Sequence, residues 1–346
     1  MCGILGGINY QNNDKIISWM QSSLPLMSDR GPDSLKYKVF NNFALGATRL
    51  RIFDNSEIAD QPYFDRINSN IIVFNGAILN YKSLRKELLS EGVIFDSSSD
   101  TEVLLKAYSS WGLKRTLSKI RGMFAFAIYD IKNNIIVIAR DHFGIKPLFF
   151  LQDKNSLAFS STIKPLLLFP YYNIEVNKEV IPEQFAFQCI KPPNTIYKNI
   201  FSIMPGHYSV INILKNEKVK TKSFWKISDC LNDDNFSKLT NFDDMIKEVV
   251  ISSWQGDRRK GLQLSGGLDS SLIAAISREN FSNSINTFSI IFEDKNKISF
   301  KKSEETYMNF VNSKFNLKPN YFLFEDNQVS TILRDAIITY EMPLYS

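Results

Sequence analysis

The sequence is poor in the residues that build metal centres and disulfide frameworks. Its 346 residues include only three cysteines and two histidines: Cys2, Cys189, Cys230, His142 and His207. Because the cysteines are odd in number and far apart, they argue against a disulfide framework. There is no CxxC or HxxxH spacing, so a zinc site is not expected.

Long apolar runs and an excess of one charge are also missing. No stretch approaches the roughly 20 apolar residues that span a bilayer, and the N-terminus lacks the basic region and apolar run of a signal peptide. We therefore expect a cytoplasmic protein without membrane contact. The net charge of +5 comes from 41 basic and 36 acidic residues, and this scattered excess does not indicate nucleic-acid binding.

The length and apolar content predict two domains. Hydrophobic residues make up 44% of the chain, and domains average roughly 150 residues. Over residues 3–207, short apolar runs bounded by turn residues predict strands. A helix is predicted over residues 101–111, with Asp100 as its N-cap. This mixture predicts an α+β fold with layered sheets.

The second half of the chain has a different pattern of predicted secondary structure. Residues 211–241 are polar and lack periodicity, so we interpret them as an irregular connector. From residue 242 onward, predicted helices and strands alternate. Such alternation is typical of a parallel, doubly wound sheet.

The strongest local motif is Leu-Ser-Gly-Gly-Leu-Asp-Ser-Ser at residues 264–271, between a predicted strand and a predicted helix. Adjacent glycines let the backbone approach an anion, and the first amides of the helix point toward it. Asp269 can hold a magnesium ion or orient the loop. The loop has no lysine and is not a Walker motif. A tight turn capped by serines is the alternative, but the complete string favours nucleotide binding.

Cys2 follows the initiator methionine. A small second residue permits removal of Met1, which would leave Cys2 with a free α-amine whose pKa is about 8 in model compounds. This amine can take the thiol proton, so that nucleophile and base share one residue. On its own, however, a cysteine at this position is more often a small apolar residue of a first strand.

Further strings occur in order along the chain: Arg-Gly-Pro-Asp at 30–33, Asn-Gly at 75–76, Ser-Asp-Thr-Glu at 99–102, Gly-Met-Phe-Ala-Phe-Ala at 122–127, Arg-Asp-His-Phe-Gly-Ile-Lys-Pro-Leu at 140–148 and Pro-Gly-His-Tyr at 205–208. Together with Cys2 and residues 264–271, this set resembles the glutamine-dependent asparagine synthetase family over essentially the whole chain. The resemblance implies a four-layer αββα N-terminal-nucleophile glutaminase domain over residues 2–210. A connector over residues 211–241 and a partial α/β doubly wound domain of the ATP pyrophosphatase type over residues 242–346 would follow.

The resemblance also implies a glutaminase site. It makes Cys2 the nucleophile and assigns the glutamine-binding positions to Arg49, Asn75, Gly76, Ala77 and Asp100. Arg49 would bind the α-carboxylate of glutamine with its planar guanidinium, and Asp100 would pair with the α-ammonium. Asn75 and Gly76 would form the oxyanion hole and so take part in catalysis.

The ATP site follows from the same resemblance. The implied positions are Leu264, Ser265, Gly266, Gly267, Asp269, Ser270, Ser271 and Ile290. Leu264 and Ile290 match positions that flank the adenine, although both could equally be core strand residues. The implied cofactors are ATP and Mg²⁺, with Asp269 as the metal ligand. The implied substrates are glutamine and an acceptor carboxylate, aspartate in the first instance, which ATP adenylates before ammonia attacks it.

Two departures from the family pattern affect these expectations. Ala77 stands where the family has a glutamate that helps hold the ammonium of glutamine, so weaker glutamine binding is expected. The chain also stops at Ser346, before the second Gly-rich acidic motif of the synthetase domain. An incomplete sheet would leave an apolar face uncovered. A fragment, an interrupted gene and a second chain that completes the domain all stay open, as does a homodimer.

The function therefore keeps several alternatives. The same machinery could amidate another carboxylate, such as a sugar acid or a peptide in a surface-polysaccharide or natural-product pathway. The chain could also be a glutaminase alone, or a non-catalytic module that retains the fold. Because the synthetase domain is incomplete, we expect this chain to hydrolyse glutamine better than it forms an amide.

Overall fold

The computed structural model describes residues 1–11, 14–231, 241–292 and 299–340. The chain divides into two compact units, one from Met1 to Asp233 and one from Asp234 to Thr339. The boundary between them lies inside the segment that was predicted to be a connector. No helix in the described ranges is both long and apolar enough to cross a lipid bilayer.

The first unit contains two six-stranded antiparallel sheets. Its strands are β1 (Gly3–Asn9), β2 (Ser34–Val39), β3 (Phe43–Arg49), β4 (Tyr63–Asp65), β5 (Asn70–Ile78), β6 (Gly122–Asp130), β7 (Ile135–Arg140), β8 (Phe149–Asp153), β9 (Ser156–Ser160), β10 (Ile200–Ser202), β11 (His207–Asn212) and β12 (Thr221–Ser223). Its helices are α1 (Asp14–Ser23), α2 (Tyr81–Ser90), α3 (Asp100–Lys119), α4 (Lys164–Leu167), α5 (Ile181–Phe187) and α6 (Ile227–Leu231). The strand orders are β10-β8-β9-β1-β3-β2 and β12-β11-β7-β6-β5-β4.

These elements form the four layers that the resemblance implied. Successive residues of a strand point to opposite faces of its sheet. Ile4 of β1 therefore packs in the core between the two sheets, together with Val73 of β5, whereas its neighbour Leu5 packs against Trp19 of α1. On the outer face of the second sheet, Phe74 packs against helices α2 and α3. Strand β1 lies inside its sheet, between β9 and β3, and is buried on both faces; Cys2, which directly precedes it, is buried as well.

Helix α3 differs from its prediction at both ends. Asp100 was predicted as the N-cap, and this was wrong. Ser99 has the extended backbone of a cap, and its hydroxyl accepts the backbone N–H of Glu102 at 3.2 Å, so that Asp100 is the first helical residue. The predicted end at residue 111 falls at a kink, because Gly112 has a φ of 72° before the helix continues.

The segment predicted to be an irregular connector contains part of the second sheet. Strand β12 pairs with β11, with Tyr208 opposite Lys222, so the prediction was wrong over these residues. Edge strands carry polar and charged residues, which explains why the sequence pattern of residues 221–223 resembles a loop. Residues 232–240 of the predicted connector lie outside the described residues.

The second unit alternates helices and strands, as predicted. Its elements are α7 (Phe242–Ser253), β13 (Gly261–Gln263), α8 (Leu268–Asn280), β14 (Asn286–Phe292), α9 (Ser299–Lys314), β15 (Lys318–Phe324) and α10 (Val329–Tyr340). The three strands are parallel, in the order β13-β14-β15. Leu262 packs against Ala274 of α8 and Met308 of α9. In β14, Thr287 and Ser289 are buried while Phe288 and Ile290 are exposed, so an apolar face is uncovered in the described part of this unit.

Candidate active site

Cys2 lies directly before β1 and is 9% exposed. Its thiol lies 3.8 Å from the carbonyl oxygen of Leu50 and donates to it. Burial raises the pKa of the Cys2 thiol, and the contact with Leu50 and the positive charges of the α-amine and Arg49 only partly offset this effect. The thiol is therefore neutral at rest, and it needs a base close by to become a nucleophile.

The α-amine of Met1, the residue before Cys2, also has a shifted pKa. Burial lowers the pKa of the Met1 α-amine; the charge of Cys2 opposes this shift, and the cations of Arg30 and Lys146 add to it. A larger share of the amine is then neutral near pH 7 than for an exposed amine. Burial at this end of the chain therefore disfavours both a charged thiolate and a charged α-ammonium.

Strand pairing places Arg49 beside Cys2. Gly3 of β1 pairs with Thr48 of β3 in the antiparallel register. Cys2, which precedes Gly3, therefore lies opposite Arg49, which follows Thr48. The Arg-Gly-Pro-Asp turn packs closely against this position, because an added Cβ at Gly31 would lie 2.3 Å from the backbone nitrogen of Arg49. A glycine is therefore required there by space rather than by backbone conformation.

The Arg49 guanidinium is buried and bonded to the loop that follows β3. Nη1 donates to the Asp60 carboxylate at 2.7 Å and to the Ser56 carbonyl at 3.1 Å. Nη2 donates to the carbonyls of Phe53 at 3.0 Å and Asp54 at 2.7 Å. The sequence predicts that Arg49 binds the α-carboxylate of the substrate. In this conformation, both terminal nitrogens instead donate to oxygens of the protein itself.

Asp60 is a site residue that sequence reasoning missed. It also accepts from Arg51 Nη2 and from Lys36 Nζ, each at 2.9 Å. Burial would raise the pKa of Asp60, but hydrogen bonds from Arg51, Lys36 and Arg49 outweigh it and hold the pKa well below its usual range. No local pattern marks Asp60, because Asp54 and Glu57 lie even nearer to Arg49 and Arg51 in the sequence. The contacts of Asp60 depend on the loop that brings it back to β3.

Asn75 lies on β5 and is fully buried. Among the described residues, neither its Nδ2 nor its Oδ1 has a hydrogen-bond partner. A buried amide without partners costs about 1–3 kcal/mol, so such a group is retained where a ligand or a reaction uses it. Next to it, an added Cβ at Gly76 would lie 2.3 Å from the Met123 carbonyl, so no side chain fits between β5 and β6. Ala77 follows on the same strand and is partly buried.

Asp100 begins α3 and is 4% exposed. Its carboxylate accepts the backbone N–H of Ile78 at 2.9 Å, which ties it to the end of β5, three residues after Asn75. Burial raises the pKa of Asp100 to about 7, although the hydrogen bond from Ile78 and the charge of Arg49 oppose the shift. The charges of Arg49 and Asp100 both act on the Cys2 thiol, so both residues lie within electrostatic range of it.

Two further cations lie near Cys2. Arg30 Nε donates to the Cys2 carbonyl at 3.2 Å, while its Nη2 is buried without a partner among the described residues. Burial lowers the pKa of Lys146, whose charge interacts with Cys2 and Arg30. Both residues belong to strings that supported the resemblance, but the sequence assigned them no role.

In the second unit, residues 264–271 form the turn from β13 to α8, with Gly267 as the N-cap. The turn is ordered by its own serines. Ser265 Oγ lies 3.1 Å from Ser270 Oγ and accepts the Gly267 N–H at 3.4 Å. Ser270 Oγ lies 3.2 Å from the Gly267 carbonyl and donates to it, while the Ser271 N–H donates to the same carbonyl at 3.1 Å. Gly266 has a φ of 81°, and an added Cβ would lie 2.7 Å from the Glu304 carbonyl.

The remaining predicted ATP residues differ in exposure. Leu264 is buried, and its carbonyl accepts the Ser289 hydroxyl at 2.7 Å. Ile290 is 50% exposed on the neighbouring strand. Asp269 is exposed in the first turn of α8. Within the described ranges, no group of three Asp, Glu, His or Cys residues could hold a metal ion. A magnesium ion at Asp269 would therefore need oxygen ligands from phosphates and water.

Comparisons with known families match both units. A family model described as a glutamine amidotransferase domain matches residues 1–225. A second one, described as asparagine synthase, matches residues 241–346.

Two curated relatives agree with these matches. Asparagine synthetase [glutamine-hydrolyzing] 1 of Bacillus subtilis is 33% identical over 320 residues, which are 88% of this chain and 48% of the relative. Asparagine synthetase [glutamine-hydrolyzing] 2 of the same organism is 30% identical over 94% of this chain and 44% of its own. Among solved structures, the glutamine phosphoribosylpyrophosphate amidotransferase of B. subtilis, complexed with ADP and GMP, aligns at 16% identity and a TM-score of 0.46, over 93% of this chain and 65% of that chain.

The chain spans about half the length of the two curated relatives described. The match to the amidotransferase model covers the whole sheet sandwich of the first unit, and the match to the synthase model begins at α7. The ordered strings, the two-unit architecture and both models agree. The chain therefore belongs to the glutamine-dependent asparagine synthetase family.

Proposed function

We propose that the first unit hydrolyses glutamine with Cys2, and that the second unit binds ATP for the amidation of an acceptor carboxylate, aspartate in the first instance. The observation that carries the proposal is Asn75, a fully buried amide without a partner among the described residues. It lies in the same unit as a buried thiol, a buried arginine and a buried carboxylate, those of Cys2, Arg49 and Asp100.

Removal of Met1 would give Cys2 its own α-amine. The neutral amine takes the thiol proton, and the sulfur attacks the carboxamide carbon of glutamine. Asn75 Nδ2 and the Gly76 N–H donate to the oxyanion of the tetrahedral intermediate. When the intermediate collapses, ammonia leaves with the proton from the amine, and a thioester remains on Cys2. Water then cleaves the thioester to glutamate and regenerates the thiol.

Charges orient the glutamine. Arg49 would bind its α-carboxylate, and Asp100 its α-ammonium. Because Ala77 has no carboxylate, Asp100 carries the ammonium without a second acidic partner, and we expect weaker glutamine binding as a result. An ammonium beside Asp100 would favour ionisation of this carboxyl group, whose pKa of about 7 leaves it partly protonated without a ligand.

The second unit fits a nucleotide phosphate. An added Cβ at Gly267 meets only Ser265 Oγ, at 3.5 Å, so the backbone at the start of α8 is open to an anion that the helix dipole attracts. When bound, ATP with Mg²⁺ supplies the AMP group that activates the acceptor carboxylate. Ser265, Ser270 and Ser271 would hold the phosphates, and Asp269 the metal.

The decisive experiment compares Cys2→Ala with Cys189→Ala, since Cys189 is an exposed cysteine of the same unit. Intact mass should show protein without Met1, and an electrophilic glutamine analogue should add once, at Cys2. Cys2→Ala should abolish glutamate formation, while Cys189→Ala should retain it. Retained Met1, or undiminished hydrolysis by Cys2→Ala, would contradict the proposal. Pyrophosphate release with aspartate, compared with sugar acids and peptides, then identifies the acceptor.

A further inference from the structure

The glutamine-binding arginine already carries a carboxylate of its own chain. A guanidinium binds a carboxylate best through two parallel N–H···O bonds. Both terminal nitrogens of Arg49 are bonded, to the Asp60 carboxylate and to three carbonyls of the same loop. These four bonds use every N–H of the two terminal nitrogens, so a second carboxylate can reach either nitrogen only if one of these partners leaves.

The three carbonyls are the less exchangeable partners, because the loop that carries them is fixed at Asp54. One oxygen of the Asp54 carboxylate accepts the Ser56 N–H at 2.9 Å, and the other accepts the Ser98 N–H at 2.8 Å. These bonds join the loop to the segment that precedes α3. A carbonyl could leave Arg49 only if the backbone moved and several of these bonds broke.

Asp60 can leave Arg49 and keep other partners. Its Oδ2 accepts from Arg51 and Lys36, each at 2.9 Å, while Oδ1 is shared between Arg49 at 2.7 Å and Arg51 at 3.2 Å. The exchange therefore leaves Asp60 paired with two cations. With three cations around one carboxylate, the cluster still attracts a further anion.

We propose that Asp60 is an affinity-determining residue that competes with the α-carboxylate of glutamine for Arg49. The inference rests on the proposed role of Arg49 in glutamine binding. On binding, the substrate carboxylate takes the place of Asp60 on Nη1, and Asp60 remains on Arg51 and Lys36. The number of ion pairs is conserved. The affinity for glutamine therefore depends on how strongly Asp60 binds Arg51 and Lys36, the two holding cations, relative to Arg49.

Two substitutions should move this balance in opposite directions. Asp60→Asn removes the competing charge and should tighten glutamine binding by about tenfold or more, the scale of one charge-assisted hydrogen bond. Lys36→Met removes a holding cation, leaves Asp60 more firmly on Arg49 and should weaken glutamine binding. The Lys36 side chain is 52% exposed, so this variant is expected to fold. A merely structural role for the cluster would shift both affinities the same way.

Calorimetric titration of glutamine into Cys2→Ala protein measures the affinity without turnover. The matched control is Asp65→Asn, which removes a different buried carboxylate, one paired with Lys106 at 2.8 Å, and should leave the Kd unchanged. The inference is overturned if Asp60→Asn binds glutamine no more tightly than its parent, if both variants shift the Kd in one direction, or if glutamine binds none of the proteins. Hydrolysis by the chain with Cys2 intact is scored separately, so a failure of catalysis is distinguishable from a failure of this competition.

Discussion

Asn75→Leu should make the first unit more stable and the enzyme much slower. Asn75 is 0% exposed, and both ends of its amide lack partners within the described part of the chain. Replacing a buried, unsatisfied amide by an apolar side chain of similar size recovers its desolvation cost, about 1–3 kcal/mol in the free energy of unfolding. The same change removes an oxyanion donor and should lower kcat by about a hundred- to a thousandfold.

Asn70→Leu is the matched control, because Asn70 lies on the same strand and is also buried. Its Nδ2 donates to Ser109 Oγ at 2.9 Å, and only its Oδ1 lacks a partner among the described residues. The control loses one hydrogen bond as well as one unsatisfied atom. We therefore expect it to be no more stable than the parent protein and to retain its kcat.

Urea unfolding with linear extrapolation measures the free energy of unfolding. Hydrogen exchange of the β5 amides then assigns the change to the first unit. Glutamate formation at saturating glutamine gives kcat. The reasoning fails if Asn75→Leu is less stable than the parent, or if it hydrolyses glutamine at the parental rate. Either result would mean that the Asn75 amide is satisfied in the free protein or is not used in the reaction.

Two further outcomes follow from the electrostatics and the backbone. The pKa of Asp100 is about 7 in the fold and about 3.9 in unfolded chains, so the folded state binds more protons and Asp100 costs stability increasingly as pH rises from about 4 to 7. Since only its ionised form pairs with an ammonium, the KM for glutamine should rise below about pH 7. Asp100→Asn should remove both dependences, and KM and urea unfolding measured across this range would show whether it does. For the phosphate loop, Gly266→Ala should destabilise the second unit by about 1–2 kcal/mol, because Gly266 has a φ of 81°. Gly267→Ala should cost less in calorimetric stability, because alanine is a poorer N-cap than glycine but adopts the φ of −71° at this position without strain, and equal losses in the two variants would contradict the argument.

The fold was largely predictable because its signals are local in the chain. Alternating helices and strands over residues 242–340 and the two-glycine turn at 264–271 depend on neighbours within a few residues. The wrong predictions, the N-cap of α3 and the missed strand β12, arose because local signals alone do not decide these features. Ser99 and Asp100 are adjacent and both can cap a helix, and only the backbone angles at Ser99 decide between them. Strand β12 has little apolar signal, because its partner β11 supplies the hydrogen bonds.

The chemistry of the candidate site was decided by tertiary structure. The sequence alone determined the types and order of the candidate site residues and their resemblance to one family. It could not show that Arg49 carries Asp60, that Asn75 has an unsatisfied amide, or that burial brings the pKa of Asp100 to about 7. Each of these depends on partners and solvent exposure that arise when residues distant in the chain meet. Charge and hydrogen bonding depend on distances in space, whereas a sequence pattern records only distances along the chain.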